Sequence, residues 1–486
     1  MSPKGNGKVN PWAEEAIKRA EAKRREVQGI PAVVEVEPGK AEEVASHLRR
    51  LGYSVEGVVN DFVFVDLPEP ADFETASRLP NVRLVSVQKK IYPMALGVDE
   101  LFKRVAIATD PLLSKLDVSD LYALGVRVKP AAELPTPFSA LVTLASEAFK
   151  FAADPLGRLM EYVRGFPPVI ARADWKLVTD TRKLMEAPDD NRLTTTYVGN
   201  IDTGIYLNPA IGLPFVNWIC DSITAEPPID TMGHGSWTHS CAFGQPCPSR
   251  YGTFIPVALA PESYHVKVFT AFGPCSSFQI MKAMEMCAVK GCRVVNMSLG
   301  GPLEGSADED PECVLAEKLY KQYGTNFIVA AGNDGEEWSI NSPGASPYVL
   351  CVSAIDWKTM DTSSYSSRGP QARWYKDNKD AFDRDYQKYG EVFLKPDVAG
   401  IGGDRESQIV AAVSLWYDAF YDLVPDGFDL MIGTSMATPH CSGLVALAID
   451  RGLVGNIDDV KARMKRYGEK SADKGYGLLT WSRLSG

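Results

Sequence analysis

The chain has 486 residues, room for about three domains of ordinary size, and its 45% apolar and 23% charged residues can build and solvate a sizeable core. Acidic residues outnumber basic ones, 62 to 51, for a formal net charge of -11. That balance argues against nucleic acid as a partner, because neutralising phosphates takes a lysine and arginine surplus. No stretch approaches the length of apolar chain that crosses a bilayer, so no membrane partner is expected.

Residues 1–30 begin without an apolar signal core, and Glu14 to Val27 is rich in Ala, Glu, Lys and Arg, the composition of a solvated helix. The absent signal leaves the compartment open and favours an intracellular or particle-packaged protein. Residues 31–92 form a compact pattern. PAVVEVEP (31–38) reads as a strand, and Lys40 to Leu51 as a helix with Ala41, Val44, Leu48 and Leu51 on one face. YSVEGVVN and DFVFVDLP read as two further strands, Phe73 to Leu79 as a short helix, and VRLVSVQ (82–88) as a last strand. This β-α-β-β-α-β order is ferredoxin-like.

Residues 93–170 carry helical segments broken by Pro111, Pro130, Pro135, Pro137 and Pro155, and no motif that bears chemistry. From 171 to 486 apolar strands alternate with amphipathic helices. TYVGNID, YHVKVF, CRVVNMSL, NFIVAAGN and YVLCVSAI are strand-like; FQIMKAMEMCAVKG and PECVLAEKLYKQYG are helix-like. Such alternation predicts an α/β fold with a mainly parallel sheet covered by helices on both faces. Its functional residues are then expected at the carboxyl ends of the strands.

Four motifs fall in order in this region: Ile201-Asp202-Thr203-Gly204, Gly233-His234-Gly235-Ser236, Ala331-Gly332-Asn333-Asp334-Gly335, and Gly433-Thr434-Ser435-Met436-Ala437-Thr438-Pro439-His440. A serine hydroxyl becomes a nucleophile when a base takes its proton, and imidazole suits that task near neutrality. Asp202 can fix the His234 tautomer, and Ser435 opens an apolar, small-residue helix whose N-terminus favours developing negative charge. Asp-Thr-Gly, Gly-His-Gly and Gly-Asn-Asp-Gly are each common turn sequences alone; the eight-residue run around Ser435 is specific by itself.

These motifs resemble the catalytic signatures of the subtilisin family of serine proteases, in that family's Asp, His, Ser order. NMSLGG (296–301), SSRGP (366–370) and KPDVAG (395–400) strengthen the likeness. The resemblance implies a serine endopeptidase with Asp202, His234 and Ser435 as triad and Asn333 as side-chain oxyanion donor. Ser298, Leu299, Gly300 and Gly332 would pair with an extended peptide or protein substrate. It implies no catalytic cofactor. It also implies that 31–92 is a propeptide, an intramolecular inhibitor whose tail, Ile91-Tyr92-Pro93-Met94, occupies the cleft and is cut by the enzyme near residues 92–96. The insert 93–170 departs from the family, so a cut at 165–174 is the alternative.

The run His234-Gly-Ser-Trp-Thr-His-Ser-Cys also departs from the family's His-Gly-Thr-His-Val-Ala-Gly. His239 is therefore a poor candidate for the base, His265 and His440 read as structural, and His47 as a surface residue. The acidic residues Glu304, Asp308, Glu309, Asp310 and Glu312 read as a solvated loop, the sharper alternatives being a structural calcium site or a preference for basic substrate residues. Nine cysteines, all after residue 219, read as buried free thiols, with Cys241 and Cys247 the first pair to test for a disulfide. A silent binding protein, an acid-active carboxyl-serine peptidase and an α/β-hydrolase esterase fit less well. The last two would need a Glu and an Asp where His234 and Asn333 stand, or a G-x-S-x-G motif.

Overall fold

A computed structural model describes residues 30–93, 174–271, 274–303, 305–415, 417 and 426–486. The expectations for residues 1–29 and for nearly all of the 93–170 insert lie outside the described residues. At the N-terminal end, strands β1 (Ile30–Val36), β2 (Ser54–Val59), β3 (Phe62–Leu67) and β4 (Val82–Val87) form an antiparallel sheet in the order β2-β3-β1-β4. Helix Ala41–Arg50 buries Ala41, Val44, Ala45 and Leu48, one face at helical spacing. Glu42 and Glu43 in its first turn and Arg49 and Arg50 in its last suit its dipole. The second helix, Pro70–Ser77, starts three residues earlier than the apolar pattern suggests. Pro70 fits its first turn, and Glu69 and Asp72 form a capping box, with Glu69 N donating to Asp72 Oδ2 at 2.8 Å.

β3 is apolar on both faces. Val63, Val65 and Leu67 join Val34, Val36 and Leu48 in the unit's own core, whereas Phe62 and Phe64, with Val33 and Val59, join the large core of the rest of the chain. A strand buried on both faces reads as a continuous apolar run, which is what FVFVDL is. Beyond β4 a short strand, β5 (Lys90–Pro93), leaves this sheet altogether.

The larger unit opens with β6 (Asp174–Leu177), β7 (Val198–Asp202) and β8 (Trp218–Ser222). A small hairpin follows, β9 (Cys247–Ser249) and β10 (Gly252–Phe254), then β11 (Ser263–Lys267), β12 (Cys275–Ser276), β13 (Val294–Met297) and β14 (Leu299–Gly300). The last strands are β15 (Asn326–Ala330), β16 (Leu350–Ile355), β17 (Val398–Ile401), β18 (Ser407–Ala412) and β19 (Phe428–Met431). Seven of them form one parallel sheet, β17-β16-β15-β13-β7-β11-β8, and a smaller sheet is ordered β19-β18-β6.

Helix Thr434–Asp450 crosses β13, β15, β16 and β17 and packs on helix His234–Phe243, which lies on β7; helices Ser277–Val289 and Pro311–Tyr323 pack together on the same sheet. The chain runs out from β7 through β8 and β11, then crosses back to β13 on the other side. That reversal opens a crevice at the carboxyl ends of the strands beside β7. Asp202 is the last residue of β7.

Candidate active site

Each motif sits where an element ends. His234 begins helix His234–Phe243, which is buried along its whole length. Gly235 lies so close to the 204 turn that a Cβ there would stand 2.2 Å from the Gly204 carbonyl oxygen, which explains the glycine. His234 Nδ1 meets Asp202 Oδ1 at 2.6 Å, and the Thr238 hydroxyl donates to Asp202 Oδ2 at 3.2 Å. With Nδ1–H donated to the carboxylate, Nε2 is the basic face of the ring. Nε2 is buried and has no hydrogen-bond partner among the described residues.

Ser435 is the second residue of helix Thr434–Asp450 and fully buried. Its hydroxyl donates to the Ser298 carbonyl at 2.8 Å and makes no bond to His234. Asn333 follows β15. Its Oδ1 accepts from the Thr434 amide at 3.0 Å and the Thr434 hydroxyl at 2.9 Å, and its Nδ2 is buried without a partner. Gly332 has φ +119°, and a Cβ there would fall 2.0 Å from Asn341 Nδ2. Buried polar atoms are nearly always paired. Here His234 Nε2 and Asn333 Nδ2, an acceptor and a donor, both lack a partner among the described residues, and Asn333 is tied to Thr434, the residue before Ser435.

Behind these residues lies a polar network that the sequence did not single out. Asn296 Nδ2 donates to Asn200 Oδ1 at 2.8 Å, the Ser442 hydroxyl donates to Asn296 Oδ1 at 2.9 Å, and Asn200 Nδ2 reaches the Gly235 carbonyl at 3.2 Å. It ties β7, β13 and both active-site helices together. Asn296 opens the NMSLGG run noted above, whereas the only sequence signal for Asn200 was an asparagine inside an otherwise apolar strand.

The other histidines lie apart from these contacts. His239 and His265 pack edge to face at 4.4 Å, and burial holds the first down at about 3 and the second well below its usual range. His440 donates from Nδ1 to the Met436 carbonyl at 2.7 Å, and burial lowers it to about 4. His47 is half-buried.

The acidic loop is not simply solvated. Asp308 bonds Lys388 at 2.6 Å and also Tyr389, while Asp310 and Glu312 are buried against Lys89. Among the described residues no group of three or more His, Cys, Asp or Glu side chains could hold a metal ion. Eight of the nine cysteines are buried, and Cys241 is not bridged to Cys247. Among the described residues no helix is long and apolar enough to cross a membrane.

Between β12 and β14 lies β5. Ile91 pairs with Cys275 and Lys90 with Ser276 on one side; Pro93 pairs with Leu299 and Tyr92 with Gly300 on the other, all antiparallel. The strand expected to receive an extended peptide, Ser298-Leu299-Gly300, thus receives the chain's own residues.

The sequence is similar to known proteins of one family. The Subtilase family model (peptidase S8) matches residues 194–478. Pyrolysin of Pyrococcus furiosus is 32% identical over 213 residues, 42% of this chain and 15% of that protein. Serine protease AprX of Bacillus subtilis is 29% identical over 297 residues, 57% of this chain and 62% of its own. Subtilisin-like protease 2 of Pseudogymnoascus destructans is 28% identical over 284 residues, 58% of each. The chain thus spans less than two thirds of each of these relatives. The family match covers more than half of the chain, and the chain belongs to the subtilase family.

Proposed function

We propose that the protein is a serine endopeptidase, made as a self-inhibited precursor that cuts its own chain. The observation that carries the reading is the Asp202–His234 contact at 2.6 Å together with Asn333, tied through Oδ1 to Thr434, the residue before Ser435; among the described residues His234 Nε2 and Asn333 Nδ2 are both left without a partner. In the reaction Ser435 Oγ turns from the Ser298 carbonyl and attacks the peptide carbonyl carbon while its proton passes to His234 Nε2. Asp202 stabilises the imidazolium. The oxyanion takes hydrogen bonds from Asn333 Nδ2 and the Ser435 amide. Collapse breaks the C–N bond, and the leaving amine takes the proton from His234. Water then attacks the acyl-enzyme by the same route and frees Ser435.

The place of β5 supports the inhibitory role of residues 30–93. A strand paired on both edges fills the cleft with main-chain hydrogen bonds and blocks other peptides. Pro93 stands opposite Leu299, one residue short of Ser298, so the bond after Met94 is the proposed cut. Protein and peptide substrates follow from the same cleft.

N-terminal mapping of the purified wild type beside Ser435→Ala tests both halves. The expected outcome is a new terminus at Ala95, or within a residue or two of it, in the wild type alone. No cut, or the same cut in Ser435→Ala, would sink the self-processing reading. Labelling of the wild type by a fluorophosphonate, absent in Ser435→Ala, separates an active enzyme from a silent binding protein.

A further inference from the structure

Lys89 lies just before β5, at the point where the chain leaves its own sheet and enters the cleft. Its amide donates to the Ser277 hydroxyl at 3.0 Å, so it is already seated on the catalytic unit. Its side chain is 3% exposed, and its ammonium touches two carboxylates of that unit, Asp310 Oδ2 in a short contact and Glu312 Oε2 at 2.8 Å; those side chains are 3% and 0% exposed. Asp310 is fixed independently of Lys89, because its other oxygen caps helix Pro311–Tyr323 at the Cys313 amide (3.2 Å) and accepts from the Ser342 hydroxyl at 2.7 Å. Burial raises Glu312, whereas Lys89 draws Asp310 below its ordinary range. The nearby thiols Cys275 and Cys313 are kept neutral by burial.

When residues 30–93 depart, their cation departs with them. Two buried carboxylates then face a vacated pocket at one end of the substrate strand, a costly arrangement until another cation enters. A second lysine or arginine, carried at the same place on an incoming strand, restores what Lys89 supplied.

We infer that Asp310 and Glu312 form a cation-selecting subsite for a substrate Lys or Arg four residues before the one that pairs with Leu299, and that Lys89 fills this subsite in the uncut chain. With the cut after Met94, that side chain lies six residues to the N-terminal side of the scissile bond. The inference rests on the peptidase reading above and adds a specificity far from the cut. It also gives Lys89 the role of a latch whose recognition chemistry is that of a substrate.

The test uses the full chain after self-processing has run to completion. Three peptides copying residues 86–98 are compared: the native sequence, one with Lys89→Gln, and one with Lys90→Gln. Loss of a buried charge-assisted contact should lower kcat/KM for the Lys89→Gln peptide by about 10-fold or more, chiefly through KM. The Lys90→Gln peptide should change far less. A Glu312→Gln enzyme should bring the native to Lys89→Gln ratio close to one. The peptide comparison needs no change in the enzyme, so it stands even if Glu312→Gln fails to fold.

Equal rates for all three peptides would overturn the subsite and leave the peptidase reading intact; peptides that are never cut would overturn both. A lysine preference that persists undiminished in Glu312→Gln would also overturn it. So would equal rates accompanied by millimolar calcium raising the melting temperature of the processed wild type alone, which would assign the carboxylates to a metal.

Discussion

Asn333 is held by one end only. Its Oδ1 is anchored twice by Thr434, the neighbour of the proposed nucleophile Ser435, and its Nδ2 is spent on no partner among the described residues. A donor placed in advance costs no reorganisation when charge develops, and its loss should appear in kcat rather than in KM. Asn333→Ala is therefore expected to lower kcat by about 10²–10³-fold with KM little changed, a magnitude carried over from the same donor in a subtilisin. Steady-state kinetics on one peptide checks this, and a loss confined to KM would remove Asn333 from the oxyanion role. Residues of this kind were legible in the sequence, because Asp202, His234, Asn333 and Ser435 each stand in a short contiguous motif. Lys89 was not. Its partners lie 221 and 223 positions away in the chain, and nothing local marks a lysine that will be buried. Asp310 and Glu312 read as solvated for the same reason.

Helix Thr434–Asp450 has Pro439 in its interior, where a missing N–H leaves the carbonyl four residues earlier without its usual donor. That carbonyl belongs to Ser435. The Ser298 hydroxyl fills the gap, donating to Ser435 O at 2.9 Å, while the Ser298 carbonyl accepts the Ser435 hydroxyl. The chain at Ser298, which leads into β14, and the helix that carries Ser435 are thus pinned through one residue, and the proline makes the pin necessary. Ser298→Ala should leave a buried carbonyl unsatisfied and cost about 1–3 kcal/mol of stability. Urea unfolding in a Ser435→Ala background, which prevents self-digestion, measures it; a change below about 0.5 kcal/mol would mean that the carbonyl finds another donor. At this scale apolar periodicity placed the helices and strands it named within two or three residues, and it left others unnamed, among them β8, β18, β19 and helices Lys379–Tyr389 and Ile457–Lys465. It missed the start of helix Pro70–Ser77, where a capping box rather than an apolar face sets the boundary. It also could not make a strand of Lys90–Pro93, since β5 exists only through its partners β12 and β14.

The two units of the chain meet through one face of the N-terminal sheet. Phe64 stacks edge to face on Phe278 at 5.1 Å, and a Cβ on Gly57 would press to 2.8 Å from the same ring. Lys318 reaches Asp61 at 3.2 Å and lies 4.7 Å over the Phe62 ring, and the Asn60 amide donates to Glu285 at 3.0 Å. Strand alternation separates docking from folding here. Val63 and Val65 hold the small unit together from one face of β3, and Phe62 and Phe64 hold it to its neighbour from the other. The run FVFVDL marked a strand, but not that its second side would be covered by a surface more than 200 residues away. Phe64→Ala should therefore spare the fold of the small unit and loosen its grip. Removing a buried phenylalanine costs about 3–5 kcal/mol. If most of that falls on the docked state, escape of the cut N-terminal unit speeds up by about 10²-fold or more. The readout is the lag before a short peptide is hydrolysed by the processed full chain. Phe64→Ala should shorten that lag sharply, and Val63→Ala should act by unfolding the small unit, seen as lost protection of β1 and β3 amides from hydrogen exchange. A lag in Phe64→Ala equal to that of the wild type would mean that β5 alone, without the sheet behind it, restrains the enzyme.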